Sequence, residues 1–315
     1  MSILIIYHDR CPDGTAAAWC AGKFFGFDNC VFHPAVHGTD PPLKKARAAD
    51  RTYIVDFSYD RGKLLKLASV TDLKVLDHHA SAEAQCQGLD FCEFDMKRSG
   101  AGMTWDHFFA GQDRPWFIDY IEDRDIWNWK WPNSRAALAF IDTLPKTFKT
   151  YDKLMDGEPS IGDCTEKGYA ILDYIDMYNE ASIQAGSRLI DFQSPDGQIH
   201  MDIPCVNASY FGISEVLHVA AQGRKFALGW FRRHDGKYQY SARVDEASDF
   251  DVSKLAAAYG GGGHVKAAGF TLGFQLEELP TTATGYPYCS HGEHEFNPHP
   301  SDVCGVDGCT CVGGH

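Results

Sequence analysis

The sequence predicts an α/β protein in which a parallel sheet covered by helices is followed by a smaller α/β domain. Short apolar runs alternate with helical stretches over about the first 130 residues, and the pattern changes near residue 197. Alternation of continuous apolar strands with helices is typical of a parallel sheet that helices cover. The chain has 315 residues, of which 44% are hydrophobic, so it is long enough to build two such cores.

Five strands are predicted in the first part of the chain, with helices between them. The apolar runs that predict strands are residues 3–7, 30–34, 53–57, 73–77 and 91–95. The helical stretches are residues 14–26, 41–50, 59–69 and 100–111. We therefore expect a first domain over residues 1–145, with the carboxyl ends of its parallel strands along one edge of the sheet.

A second, smaller domain is predicted over residues 197–280, after a helical linker over residues 146–196. Tyr169, Leu172, Ile175 and Ile183 lie near helical spacing, and the linker is predicted to contain a long helix over residues 164–190. The remaining predicted elements are antiparallel strands over 199–209, 225–234 and 237–245, a hairpin turn over 234–237, and helices over 213–222 and 251–260.

Composition and charge narrow the class of substrate. The chain has no apolar run of 18 residues, and its first residues have the pattern of a strand, so we expect a cytoplasmic protein without a membrane partner. The formal net charge is −14, whereas proteins that coat long nucleic acids usually carry a basic face. An anionic substrate would therefore be held locally, by metal ions or by a few residues.

Polar side chains occur where the predicted strands end. Ligands of open parallel sheets bind at the carboxyl ends of the strands. Imidazole and carboxylate ligands together suit Mn²⁺ or a similar ion, and two ions ~3.5–4 Å apart can clamp a phosphoryl oxygen, with a carboxylate such as Asp56 between them. The alternative is that these residues are helix caps. The residues are His8, Asp9, Asp13, Asp56, Asp77, His78, His79, Glu122, Asp123 and Asp125.

These motifs resemble the DHH phosphoesterase superfamily, which includes RecJ-like exonucleases, nano-RNases and cyclic-dinucleotide phosphodiesterases. The matching stretches are HDRCPDG, VDFS, LDHHAS and EDRDIW, and GGGGHVKAAGF at residues 260–270 resembles the DHH-associated C-terminal domain. The resemblance extends over roughly residues 1–278. It implies a two-metal phosphoesterase whose active site lies in the cleft between a DHH domain and the smaller domain.

The resemblance also implies roles for single residues. The implied metal ligands are His8, Asp13, Asp56, His78 and Asp123, with Asp125 as the alternative to Asp123. Asp77 would orient the ring of His78, and His79 would face the substrate phosphate. The chain has Cys11 where many members have a carboxylate, so one ion would recruit Asp9, Cys11 itself or water.

Substrate binding is predicted for the second domain. The run Gly260 to Gly263 lets the backbone approach an anion, so Gly261, Gly262 and Gly263 with His264 are candidates, although such runs also form flexible linkers. Arg243 is either a bidentate phosphate clamp or a solvated strand residue, and Asn207 is a weaker candidate.

The chain end from residue 281 is predicted to be a separate tail. It is rich in ligand residues and is either a small zinc site or disordered. The residues concerned are Cys289, His291, His294, His299, Cys304, Cys309, Cys311 and His315. The other seven cysteines are scattered, which is typical of reduced thiols.

The sequence therefore predicts a hydrolase of phosphodiester or phosphomonoester bonds. The expected cofactor is a pair of Mn²⁺ ions, for which Mg²⁺ or Co²⁺ can substitute. Expected substrates are short oligonucleotides, dinucleotides or nucleotide phosphates, and the protein is either a monomer or a homodimer. The alternatives are a polyphosphate or pyrophosphate hydrolase and a nucleotide-binding regulator with a degenerate site, which Cys11 supports.

Overall fold

The computed structural model describes residues 2–9, 11–245 and 247–276. It divides into two compact units, with the boundary between Tyr178 and Asn179. Among the described helices, none is long and apolar enough to cross a membrane.

The first unit begins with alternating strands and helices. In chain order these are β1 (Ile3–His8), α1 (Pro12–Phe25), β2 (Cys30–Ala35), α2 (Leu43–Ala48), β3 (Arg51–Val55), α3 (Arg61–Ala68), β4 (Asp72–Asp77), α4 (Ala80–Cys86) and β5 (Cys92–Phe94). Five helices follow: α5 (Gly100–Phe108), α6 (Trp116–Asp125), α7 (Ser134–Ile141), α8 (Phe148–Met155) and α9 (Ile161–Gly186), the last of which continues into the second unit. All five predicted strands are present in this unit.

The sheet of the first unit is parallel, with strand order β2-β1-β3-β4-β5. The chain leaves β1 toward one edge and returns to its other side with β3, so the strand order reverses between β1 and β3. Loops diverge at such a switch point and leave a crevice at the carboxyl ends of the two strands. His8 ends β1, and Asp56 directly follows β3.

Both faces of the three central strands of this sheet, β1, β3 and β4, are largely buried, which explains their continuous apolar sequences. Ile3 and Ile5 pack on one face with α1, whose alanines and Trp19 are fully buried. Leu4 and Ile6 point to the other face, where they pack with residues of α2 and α3. The small side chains of α1 let it lie close to the sheet and to α5.

The predicted linker is divided differently in the structure. Tyr151 and Leu154 of α8 belong to the core of the first unit, and the Tyr151 hydroxyl donates to the carbonyl of Pro12 at 3.1 Å. Residues 146–178 are therefore part of the first unit. The apolar residues Leu189 and Ile190, which the helical pattern included, instead form a strand.

The second unit is built on a six-stranded mixed sheet of order β10-β11-β9-β8-β7-β6. Its pairs are antiparallel except for β7 with β8, which is parallel because α10 connects the two strands. Its elements are β6 (Ser187–Gln193), β7 (Ile199–Asn207), α10 (Ile213–Ala220), β8 (Ala227–Arg232), β9 (Tyr238–Arg243), α11 (Val252–Ala258), β10 (Gly262–Gly263) and β11 (Ala267–Leu272). The predicted hairpin between β8 and β9 is present.

Candidate active site

The carboxyl edge of the first sheet brings together polar residues from three strand ends and two helices. His78 is 2% exposed, and its Nε2 lies 3.1 Å from Asp56 Oδ1 and 3.2 Å from Asp125 Oδ2. The same nitrogen lies 3.6 Å from Asp13 Oδ2. His8 Nδ1 lies 3.7 Å from the other oxygen of Asp56. Five residues that are distant in the sequence therefore form one cluster.

Together with the neighbouring His79, this cluster contains two overlapping groups of metal-ligand atoms. His8, Asp56 and His79 offer ligand atoms within 4.8 Å of one another, and so do Asp13, Asp56 and His78. Asp56 belongs to both groups, and its two oxygens face different histidines. This is the arrangement that a carboxylate shared by two ions requires.

Asp56 is held in a conformation that few residues other than glycine adopt. Its φ is +53°, in the left-handed region, and the residue is 1% exposed. Gly100 lies against it, so that a Cβ at position 100 would be 2.3 Å from the Cβ of Asp56. Strained backbone of this kind is concentrated at functional sites. The first turn of α5 therefore fixes where the Asp56 carboxylate points.

The same turn of α5 also holds Asp13. The backbone amides of Gly100 and Ala101 donate to the two carboxylate oxygens of Asp13 at 2.6 and 2.9 Å. Amides at a helix start are unpaired within the helix and carry partial positive charge, so they stabilise a carboxylate. Sequence reasoning missed this contact, and its signal was Ser99, which caps α5 by accepting from the amide of Gly102.

The buried charges of the cluster shift one another's pKa. Burial, and then the nearby charges of Asp56 and Asp125, raise the pKa of Asp13 well above its ordinary value. Burial opposes ionisation of Asp56 too, but the hydrogen bond with His78 outweighs it and lowers the pKa of Asp56. Burial acts against charge on His78, yet the carboxylates around it raise the pKa of His78. The carboxylates of the cluster oppose one another's ionisation, and cations bound among them would relieve that repulsion.

Asp77 orients His79. Its Oδ1 lies 2.7 Å from the ring Nδ1 of His79 and accepts the backbone amide of His78 at 2.8 Å. The sequence-based expectation was that Asp77 would orient the ring of His78, whereas the structure joins these two residues through the backbone. With Nδ1 of His79 bound to Asp77, the Nε2 of that ring is the atom suited to bind a metal ion.

The residues of the cluster fit a pair of divalent cations. Three buried polar atoms of this site have no hydrogen-bond partner among the described residues: His8 Nδ1, Asp56 Oδ2 and Asp77 Oδ2. Leaving such atoms unpaired is costly, and a bound cation would satisfy the first two at once. Imidazole and carboxylate are the ligands expected for Mn²⁺ and similar ions.

The carboxylates of the EDRDIW segment have three different environments. Asp125 joins the cluster through His78. Asp123 is 1% exposed and accepts from the amides of Lys130 and Trp131 and from the hydroxyl of Ser134, at 2.7, 3.1 and 2.7 Å. Of the two residues that the sequence left open, the structure therefore brings Asp125 to the cluster, while Asp123 holds the turn that leads into α7.

Glu122 is the third of these carboxylates. It accepts the amide of Ser99 at 3.0 Å and pairs with Arg114 at 2.8 Å. It therefore anchors the beginning of α5, the turn that holds Asp13 and Asp56. The sequence analysis counted Glu122 among the candidate ligands, whereas the two ligand groups at Asp56 do not include it.

Cys11 and Asp9 lie beside the cluster. Burial, followed by the charges of Asp56, Asp125 and Asp13, raises the pKa of the Cys11 thiol well above its ordinary value. A thiol kept neutral in this way is a poor ligand for a hard cation. Asp9 donates its backbone amide to the carbonyl of Ala35 at 2.9 Å, and the two described ligand groups do not include it.

In the second unit, the predicted substrate-binding side chains have protein partners. Arg243 donates to the hydroxyl of Ser214 at 2.7 Å and to the carbonyl of Ala242 at 2.8 Å. Burial lowers the pKa of Arg243 to about 10. Asn207 ends β7, and its side-chain amide donates to the carbonyl of Trp230 at 3.2 Å.

The glycine run of the second unit connects α11 to a hairpin. A Cβ on Gly261 would lie 2.1 Å from the carbonyl oxygen of Gly269, so close packing requires glycine there. Gly262 and Gly263 form the short strand β10, and His264 exchanges backbone hydrogen bonds with Ala267 at the hairpin turn. A Cβ on Gly262 would meet no atom within 4 Å, so this glycine has open space in front of it. The predicted zinc residues of the tail lie outside the described residues.

Comparisons with known proteins address the fold. No family model matches the chain. It is 25% identical over 288 residues to the uncharacterized protein R106 of Acanthamoeba polyphaga mimivirus, a match that covers 85% of this chain and 67% of that protein.

Two solved structures resemble the chain over most of its length. An exopolyphosphatase-related protein from Bacteroides fragilis is 12% identical with a TM-score of 0.51, covering 85% of this chain and 86% of that one. RecJ in complex with Mn²⁺ from Thermus thermophilus is 13% identical with a TM-score of 0.46, covering 86% of this chain and 49% of that one. The first match and the sheet topology confirm the predicted fold class. The resemblance to DHH phosphoesterases is confirmed at the level of the fold.

Proposed function

We propose that this chain is a divalent-metal-dependent phosphoesterase that hydrolyses short oligonucleotides, dinucleotides or nucleotide phosphates. The observation that carries the proposal is the pair of ligand groups that share Asp56. Two-metal phosphoesterases hold their ions ~3.5–4 Å apart, a separation that one shared carboxylate can set.

Each residue of the cluster receives a role under this proposal. His8, Asp56 and His79 would hold one ion, and Asp13, Asp56 and His78 would hold the other, with Asp125 beside His78 as a further ligand. Divalent ions supply Lewis-acid activation of phosphate oxygens and lower the pKa of water. Asp77 keeps His79 in orientation, and the amides of α5 keep Asp13 in place. Mn²⁺ is the proposed ion, with Mg²⁺ or Co²⁺ as substitutes.

For the second unit we propose substrate binding. The open space before Gly262 supports a role for the segment 261–264 in receiving part of the substrate. Arg243 and Asn207 belong to the same proposal, although both already have partners within the unit. The net charge of −14 favours a short substrate over a long polyanion.

A substrate panel tests the proposal directly. Purified protein is treated with EDTA and then supplied with Mn²⁺, Mg²⁺ or Co²⁺. It is assayed on short RNA, short DNA, linear and cyclic dinucleotides, a nucleotide 3′,5′-bisphosphate and polyphosphate. We expect hydrolysis of at least one short nucleotide substrate that requires added metal. Preferential hydrolysis of polyphosphate would show that polyphosphate, and not a nucleotide, is the substrate. Nucleotide binding without hydrolysis in the presence of any of the three metals would overturn the enzymatic proposal.

A further inference from the structure

Beside His8, His78 and His79 lies a fourth imidazole, His37, that no motif includes. We propose that His37 is a further substrate-binding residue, which donates a hydrogen bond to an oxygen of the phosphate group bound at the cluster. This inference rests on the proposed function. It adds a residue to the phosphate-binding side of the site and assigns it no part in holding an ion.

His37 lies next to the histidines of one ligand group. Its ring centroid is 5.5 Å from that of His8 and 6.4 Å from that of His79. The buried ring of Phe57, one residue after Asp56, lies 5.0 Å from His37 and 5.9 Å from His8. Phe57 therefore packs against the rings of His37 and His8. The imidazoles of His37, His8 and His79 lie together on one side of the cluster.

The loop that carries His37 is fixed. Thr39 donates to the carbonyl of Val36 through its amide at 3.3 Å and its hydroxyl at 2.7 Å, which closes a turn around His37. Lys63 of α3 donates to the carbonyl of Thr39 at 2.9 Å and pairs with Asp40 at 3.3 Å. The ring is therefore positioned before any ligand binds, which reduces the entropic cost of using it.

The ring nitrogens of His37 are available. The residue is exposed, and within the described ranges its ring has no hydrogen bond or salt bridge to another side chain or to the backbone. His8 and His79, by contrast, face carboxylates. This exposed imidazole lies beside a candidate cation site but outside both ligand groups. Its N–H can therefore donate a hydrogen bond to a phosphate oxygen, which is a strong acceptor.

Three variants test this role. His37→Ala removes the donor, His37→Gln keeps a donor of similar reach, and His33→Ala is the matched control. His33 is an imidazole on β2, 3.5 Å from Lys45 Nζ. Inorganic phosphate binding to the Mn²⁺-loaded protein is measured by calorimetry, Mn²⁺ affinity by titration, and KM and kcat on the best substrate of the panel. Circular dichroism checks folding.

We expect His37→Ala to weaken phosphate binding and raise KM by about 10- to 100-fold, as for loss of one hydrogen bond to a charged group. Mn²⁺ affinity, folding and kcat should change little, His37→Gln should recover most of the loss, and His33→Ala should behave as wild type. Unchanged phosphate binding in His37→Ala would overturn the inference, and weakened Mn²⁺ binding would make His37 a metal ligand. Wild-type protein that binds phosphate without hydrolysing the panel would contradict the proposed function alone, because the phosphate measurement still decides the role of His37.

Discussion

The two units differ in how their candidate polar residues are satisfied. In the first unit, Asp56 is buried and His8 half-buried, and Asp56 Oδ2 and His8 Nδ1 are buried atoms without a hydrogen-bond partner among the described residues. In the second unit, Arg243 and Asn207 donate hydrogen bonds to neighbouring residues. Buried polar groups without hydrogen-bond partners destabilise a folded protein, so their presence at one site indicates that the site binds a ligand or an ion. The difference favours the first unit as the place of the chemistry and leaves the second with a supporting part.

Substitution of the shared carboxylate should produce the largest effect. Asp56→Asn removes charge from both ligand groups, and loss of several kcal/mol of metal-based stabilisation corresponds to a decrease in turnover of about 10³-fold or more. Metal-dependent hydrolysis and Mn²⁺ affinity are measured together. Asp60→Asn is the control, because Asp60 caps α3 and asparagine also caps. Near-normal turnover in Asp56→Asn would contradict the proposal that two ions share this carboxylate.

A methyl group at position 100 should have the next largest effect. Because a Cβ there would lie 2.3 Å from that of Asp56, Gly100→Ala must displace the carboxylate or the start of α5. We expect about 1–3 kcal/mol of lost stability and roughly 10²-fold lower activity. Gly162→Ala is the matched control, since its Cβ would find its nearest neighbour at 3.8 Å. Equal behaviour of the two variants would mean that α5 does not fix Asp56.

The neighbouring carboxylates Asp123 and Asp125 should separate folding from metal binding. Asp123→Ala leaves two backbone amides and the Ser134 hydroxyl without their acceptor, so we expect a loss of about 3 kcal/mol in the free energy of unfolding. Asp125→Ala should weaken Mn²⁺ binding by roughly tenfold, with unfolding little changed. Denaturant unfolding measures the stability of both variants, and Mn²⁺ titration measures their metal affinity. The reverse pattern would restore Asp123 as the ligand.

The smallest effect is expected in the second unit. Gly262→Val meets open space, so the free energy of unfolding should change by less than about 0.5 kcal/mol. KM for a nucleotide substrate should rise a few-fold, while hydrolysis of bis-nitrophenyl phosphate stays unchanged because that ester needs only the metals. Gly263→Ala, with φ at +145°, should instead cost stability of about 1–3 kcal/mol. An unchanged nucleotide KM in Gly262→Val would confine the glycine run to a folding role.

Hydrophobic patterning was sufficient to predict the strands of the first unit, and its central strands are continuous apolar runs because they are buried on both faces. It failed at β6, because Leu189 and Ile190 lie at the end of the stretch that was predicted to be helical. Three members of the cluster, His8, Asp56 and His78, were predictable because they lie where parallel strands end. The choice between Asp123 and Asp125 was not, because the two residues lie on different sides of the last turn of α6. The partner of Asp77 depends on the direction of a ring, and His37 lies on a loop that no motif marks.

The contact between α1 and the beginning of α5 has a consequence for how the protein folds. Asp13 and Ala101 are 88 residues apart in the chain, and their hydrogen bond forms only when the strands between them are in place. The candidate metal site is therefore absent from partly folded chains, and a cation that binds it selects the native state. By mass action, an ion at 100 times its dissociation constant would stabilise the first unit by about 2.7 kcal/mol. The melting temperature of this unit should thus report metal occupancy, and a cell that withdraws the ion would also shorten the lifetime of the protein.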